Sequence, residues 1–186
     1  MNACESILGL SPYQGGKPIE ELERELGIKN VIKLASNENP LGASLKVVEA
    51  MKLSLKEVHR YPDGNGYELK RAISEHLDVD LEMISLGNGS NELLELIARV
   101  FVCKETDEVI FSQYAFVVYP LVTQALGATA RVAPAKDYGH DLSAMLELIN
   151  DNTKLIFVAN PNNPTGTLVS DDEIYNFLIK VPSHIP

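Results

Sequence analysis

Leu155-Ile156-Phe157-Val158-Ala159, followed at once by Asn160-Pro161-Asn162-Asn163-Pro164-Thr165-Gly166, places an amide-rich, conformationally restricted turn at the end of an apolar run. A short uncharged run of this kind reads as a strand buried in a parallel sheet. Each proline fixes its own φ and biases the preceding residue out of the helical region, so Asn160 and Asn163 are expected to be extended while Gly166 frees the backbone. An Asn-Pro bond in such a turn can also be cis. Asn, Pro and Gly clusters are ordinarily turns and nothing more. Here other segments point the same way, and the turn reads as one that presents groups to a ligand.

Working outward, apolar runs over residues 31–35, 83–86, 108–111 and 130–133 read as further strands. Apolar residues at three- and four-residue steps predict helices over 18–26, 44–58, 67–78, 90–102, 115–126, 141–150 and 171–179. The second is typical: Leu45, Val48, Met51, Leu55 and Val58 recur with Lys46, Lys52, Lys56 and Glu57 between them. From residue 83 onward strands and helices alternate, which predicts crossover units and an α/β architecture on a largely parallel sheet. Residues 1–66 lack that alternation and read as an arm plus linker suited to partner contact, with 67–186 as the sheet-bearing domain. The run Glu20-Glu21-Leu22-Glu23-Arg24-Glu25 is a solvated helix face.

A formal charge of −10 argues against a nucleic-acid surface, which needs a basic patch. It leaves room for a small anion, because backbone N–H groups at a helix start bind a phosphate inside an acidic protein. Cys4 and Cys103 show no CxxC spacing and suit free, buried thiols in a reducing cytoplasm. Met1 to Leu10 carries no basic leader pattern, and no apolar run approaches the roughly 18 residues of a membrane helix, so a protein without membrane contact is expected. His59, His76, His140 and His184 share no ligand spacing, so no metal site is expected.

Four further segments bear on function. Gly87-Asn88-Gly89-Ser90-Asn91-Glu92 follows an apolar run and opens a helix, so its amides and the positive end of the helix dipole converge on one point; Ser90 or Asn91 can cap the helix or bond a phosphate oxygen. The spacing is not that of a dinucleotide fingerprint. Ser112-Gln113-Tyr114-Ala115-Phe116 follows another strand, which puts Tyr114 at the carboxyl edge where ligands of open α/β sheets bind, its ring suited to stacking on a flat heteroaromatic; Phe116 and Tyr119 read as helix-packing aromatics. His59-Arg60-Tyr61-Pro62-Asp63-Gly64-Asn65-Gly66 is a turn-rich linker, and Leu34-Ala35-Ser36-Asn37-Glu38-Asn39-Pro40-Leu41-Gly42 a strand, a turn and a helix start.

In order and context these segments resemble the pyridoxal-phosphate aminotransferases of the aspartate aminotransferase superfamily. The opening Ser11-Pro12-Tyr13-Gln14-Gly15-Gly16-Lys17-Pro18 and the Asn37-Glu38-Asn39-Pro40-Leu41-Gly42 segment narrow the resemblance to the amino-terminal half of the histidinol-phosphate aminotransferases. The resemblance implies an incomplete three-layer α/β/α large domain preceded by an arm that belongs in part to a small domain and makes dimer contacts. It implies that Gly89, Ser90 and Asn91 hold the phosphate of pyridoxal 5'-phosphate, that Tyr114 stacks on its ring and that Asn163 bonds its phenolic oxygen. Tyr61 falls at the tyrosine that reaches the phosphate from the neighbouring subunit of a homodimer, and Tyr13 and Asn37 at substrate-side contacts. The implied reaction moves an amino group between L-histidinol phosphate and 2-oxoglutarate, with glutamate as product, in histidine biosynthesis.

The family's central chemistry also needs a Schiff-base lysine and an aspartate under the pyridine nitrogen. The family places both beyond the last predicted helix, so neither is identifiable here and no catalytic residue is assigned. Ser54-Leu55-Lys56 echoes the lysine motif, but Lys56 reads as a surface residue of the 44–58 helix. The expectation is therefore a truncated, inactive form with an unprotected sheet edge. Two other readings stay open at this point: an aromatic aminotransferase or phospho-amino-acid decarboxylase of the same fold, and a non-catalytic remnant or dimerisation module.

Overall fold

The computed structural model describes residues 3–186; Met1 and Asn2, the start of the stretch read for a leader, lie outside them. In chain order the helices and strands are α1 (Glu5–Leu8), α2 (Ile19–Leu26), α3 (Leu45–Ser54), α4 (Tyr67–Leu77), α5 (Ser90–Phe101), β1 (Glu108–Ser112), α6 (Val118–Ala125), β2 (Thr129–Ala133), β3 (Ala135–Lys136), β4 (Gly139–His140), α7 (Leu142–Glu147), β5 (Thr153–Ile156) and α8 (Asp171–Leu178). Packing divides the chain into Gln14–Leu86 and a second unit made of Gly87–Pro186 with the segment up to Tyr13.

Within Gln14–Leu86, α3 runs on into a 3-10 turn, Leu55–Glu57, which accounts for the long amphipathic pattern over 44–58. α4 starts at Gly66, whose φ of 59° is left-handed. A Cβ there would lie 2.5 Å from Leu86 Cδ1. Glycine thus lets Leu86 close on the start of α4, and residues 67–86 pack with this unit, so the observed division falls at 13/14 and 86/87 where the sequence pattern had suggested 66/67. The Asp63 carboxylate receives the N–H groups of Tyr67 at 2.8 Å and Asn65 at 3.0 Å, which hold it below the ordinary carboxylate range. Two expected strands do not form. Residues 31–35 have no ladder partner and leave Ile32 and Leu34 exposed, while of 83–86 the first residue, Met83, belongs to a 3-10 turn, Leu81–Met83, and the rest join no ladder. An apolar run becomes a strand only when another strand lies beside it.

The other unit is built on a sheet of order β2-β1-β5, every pair parallel. Side chains alternate across it with a period of two. Val109 and Phe111 of β1 join Leu155 and Phe157 in a cluster with Ala98 and Val102 at the end of α5 and Val118, Tyr119 and Val122 of α6. Ile110 and Ala133 face the opposite way, into Met145 of α7 and Phe177 of α8. Helices therefore cover both faces, giving the three-layer α/β/α arrangement, and the centre of β1, Val109-Ile110-Phe111, is apolar on consecutive residues because neither face meets water there. Tyr119 stacks on Phe157 with centroids 4.4 Å apart and packs edge-on to Phe116 at 6.0 Å, so both aromatics are packing residues, as their spacing indicated.

At the amino edge, the buried Asp107 carboxylate receives the N–H groups of Cys103 and Lys104, while its carbonyl accepts from Thr129 N–H. Burial pushes this carboxyl up, but the two N–H donors and the charges of Lys154 and Lys104 outweigh it and hold the group below the ordinary carboxylate range. The turn so formed sends α5 directly into β1. Leu94, Ala98 and Val102, at four-residue steps, lay α5 along the sheet. A helix of twelve residues is about 18 Å long and a strand of five about 17 Å, so the start of α5 reaches the carboxyl edge. Cys4 and Cys103, expected to be buried, are exposed: Cys4 caps α1 and Cys103 sits in the turn after α5. Among the described residues no helix is long and apolar enough to cross a membrane.

Candidate active site

β5 ends earlier than its apolar run: the ladder stops at Ile156, and one further bond, from Phe157 N–H to Ile110 O at 2.9 Å, carries the chain toward the turn. Both Asn160–Pro161 and Asn163–Pro164 are cis. The three asparagines then do three different things. Asn160 clamps Val169, donating from Nδ2 to its carbonyl at 2.8 Å and accepting its N–H at 2.9 Å, which delivers the chain to Ser170 and the start of α8. There Ser170 and Glu173 form a reciprocal capping box, which holds the Glu173 carboxyl below its ordinary range. Asn162 is buried, and its Nδ2 donates to Tyr114 O at 3.0 Å and Thr165 Oγ1 at 2.8 Å. Asn163 is exposed and its side chain makes no hydrogen bond within the described chain, leaving its amide for a ligand.

Tyr114 stands in the loop after β1, and the Asn162 bond ties that loop to the turn after β5, the adjacent strand. Its ring is 40% exposed and lies 5.2 Å, centroid to centroid, from Tyr138 in the β3–β4 hairpin. The hairpin is anchored by buried His140, whose Nε2 lies 2.8 Å from Ala159 O. A carbonyl only accepts, so Nε2 carries the proton. Neither the hairpin nor the roles of Asn160, Asn162, Tyr138 and His140 were legible beforehand.

At the start of α5, Gly89 adopts φ 89° and ψ 168°, a conformation rare for any residue with a side chain. Neither Ser90 nor Asn91 caps the helix, as the sequence had allowed. The Glu92 carboxylate instead braces the loop by accepting Asn88 N–H. The N–H groups of Ser90, Asn91 and Glu92 precede the first intrahelical bond and have no intrachain acceptor, which makes this helix start, at the same edge as Tyr114 and Asn163, a ready anion seat. Tyr13 lies elsewhere, lining a groove of about 260 Å³ with Glu95 and Arg99 of α5 and Leu121 of α6. Tyr61, fully exposed, and Asn37, at φ 50° in an exposed turn, belong to the Gln14–Leu86 unit. Lys56 is exposed in the 3-10 turn of that unit.

The family described as aminotransferase class I and II matches residues 29–184. The chain belongs to this family. Among curated aminotransferases, it is 60% identical over 183 residues to histidinol-phosphate aminotransferase 1 of Mannheimia succiniciproducens, a match covering 98% of this chain and 50% of that protein. It is 58% identical over 176 residues to histidinol-phosphate aminotransferase 1 of Idiomarina loihiensis, covering 95% and 48%. The chain thus spans about half the length of the curated relatives it matches. Among solved structures, the histidinol-phosphate aminotransferase of Sinorhizobium meliloti in complex with pyridoxal-5'-phosphate superposes with a TM-score of 0.87 at 26% identity, covering 97% of this chain and 48% of that one. The aspartate aminotransferase of Rhizobium meliloti, at 17% identity and a TM-score of 0.78, shares the aminotransferase fold.

Proposed function

We propose that this chain supplies the phosphate-, ring- and dimer-contact part of a pyridoxal-phosphate transaminase that exchanges an amino group between L-histidinol phosphate and 2-oxoglutarate in histidine biosynthesis. What supports the reading is that the sheet unit offers three unsatisfied N–H groups at the start of α5, an exposed Tyr114 ring after β1 and a free Asn163 amide after β5. That donor set fits the cofactor: an anion seat for its phosphate, an aromatic face for its pyridine ring and an amide donor for its phenolic oxygen. The high identity to histidinol-phosphate aminotransferases supports the substrate.

Bound pyridoxal phosphate supplies an electron sink for charge developing next to an amino nitrogen. Gly89, Ser90 and Asn91 would hold the phosphate, Gly89 by turning the backbone toward it and Ser90 and Asn91, with Glu92, through backbone N–H groups, which cost no reorganisation because the helix presents them before binding. Tyr114 orients the ring, and Asn163 donates to its oxygen. In a homodimer, Tyr61 of one subunit reaches the phosphate bound by its partner, and Tyr13 and Asn37 face substrate. The fully exposed Tyr61 and the exposed apolar side of α3 are consistent with such contacts. None of the eleven lysines of this sequence is assigned the transfer chemistry, so this stretch by itself is proposed to bind the cofactor without transaminating, in the cytoplasm of its host.

The test is amino transfer by the protein as its cells make it. With L-histidinol phosphate, 2-oxoglutarate and pyridoxal phosphate, glutamate should accumulate. Transfer from an aromatic amino acid with none from histidinol phosphate would overturn the substrate assignment, and no transfer from any donor would overturn the enzymatic one.

A further inference from the structure

The residues around the Asn160–Gly166 turn close a circuit that joins three separate segments. Asn162 Nδ2 donates to Tyr114 O at 3.0 Å and to Thr165 Oγ1 at 2.8 Å. Thr165 Oγ1 lies 3.0 Å from Thr167 Oγ1, and Thr167 Oγ1 donates to Tyr138 O at 3.5 Å. The Tyr138 ring returns to the Tyr114 ring at 5.2 Å. The direction of the chain follows from chemistry. Tyr114 O accepts only, so the amide presents its NH2; Thr165 then accepts from Asn162 and passes its own proton to Thr167, whose proton goes to Tyr138 O. Each donor in such a series polarises the next.

Asn162 is 3% exposed, and the orientation that satisfies Tyr114 leaves its Oδ1 buried without a partner. A buried acceptor left unpaired is costly, and the fold retains it where the other amide orientation would give up the bond to Tyr114. The turn is already closed by its own backbone, with Asn162 N–H donating to Thr167 O and Gly166 N–H to Asn162 O, both at 2.8 Å. The side chain is therefore not needed to close the turn. What it adds is a fixed distance between the loop that carries Tyr114 and the turn that carries Asn163.

Resting on the function proposed above, we propose that Asn162 is a positioning residue: it sets the Tyr114 ring against the β3–β4 hairpin, with Tyr138 as its backing, so that ring and Asn163 amide address one flat heteroaromatic ligand together. Asn162 touches no ligand itself.

The test replaces Asn162 by leucine, close in shape and without polar atoms, and labels Tyr114 with fluorotyrosine. Asn160→Ala is the comparison variant, since Asn160 braces Val169 and not Tyr114. Two readouts are taken on the whole chain: the 19F line of residue 114 without ligand, and the affinity for pyridoxamine 5'-phosphate. In Asn162→Leu the 114 resonance should shift and sharpen as the ring gains motion, with affinity falling about tenfold, whereas Asn160→Ala should move neither. An unchanged 114 resonance, or unchanged affinity, in a folded Asn162→Leu protein overturns the proposal. If the leucine variant does not fold, Asn162→Ser decides in the same way, because a hydroxyl there is too short to span both acceptors. Absence of pyridoxamine-phosphate binding by the unaltered chain would instead sink the functional reading, and the ring resonance alone would then decide whether Asn162 positions Tyr114.

Discussion

The two compact units use the same apolar periodicity and reach different ends. In Gly87–Pro186 the pattern buries Val109, Ile110, Phe111, Met145 and Leu155 to 3% exposure or less. In Gln14–Leu86 no residue is buried, and α3 with its 3-10 extension leaves Leu45 at 82%, Met51 at 64% and Val58 at 73% exposure. A sheet presents two broad faces that helices can cover, while a few helices joined by irregular chain offer no such surface. Patterned sequence is thus a promise of cover, and in the first unit the described chain does not supply it. The contact with a second copy proposed above would cover such an apolar surface.

The contrast can be broken most directly by truncating one side chain in each unit. Phe157→Ala, which removes the ring stacked under Tyr119, should cost about 3–5 kcal/mol in urea unfolding, and Met51→Ala less than about 0.5 kcal/mol at low protein concentration. A loss at Met51 that grows with protein concentration would mean that a second copy covers α3. A smaller effect sharpens the picture at the edge of the sheet unit: Ser170→Ala removes half of the α8 capping box and should cost about 1 kcal/mol, lowering the urea midpoint without changing its slope.

Acid should act on both units, and modestly. Asp63 and Asp107 sit below their reference value of 3.8 when folded, so each binds its proton more readily in the unfolded chain. Their contribution is fully present above that value and is lost as pH falls through the lower folded value. The urea midpoint should therefore hold between pH 7 and 5 and drop below about pH 4. Asp107→Asn should flatten that drop for the sheet unit, since a neutral amide no longer titrates.

How far the sequence carried can be judged residue by residue. The β1 and β5 runs and the three layers were legible because strands covered on both faces leave unbroken apolar stretches that few other structures produce. The runs at 31–35 and 83–86 look alike in sequence and fail because strand pairing is decided by distant neighbours. The site divides similarly. Glycine before a helix start and a tyrosine after a strand announce an edge site by local rules, and both stand at that edge in unit Gly87–Pro186. Asn160, Asn162 and Asn163 are chemically identical, and only the path of the turn makes one a clamp, one a buried strut and one a free amide. Ser90, a natural cap by type, opens α5 one residue past the cap position, which Gly89 occupies, while Glu92 braces the loop from inside the helix.

The decisive measurement is calorimetric binding of pyridoxamine 5'-phosphate and of unphosphorylated pyridoxamine to this chain, ligands without an aldehyde that exposed lysines would trap. Micromolar binding of the phosphorylated form, at least tenfold weaker binding of the other, and loss of affinity in Asn163→Ala are the results that the proposed cofactor site predicts. Equal affinity for the two ligands, or binding indifferent to Asn163, would contradict the placement of the cofactor at this sheet edge.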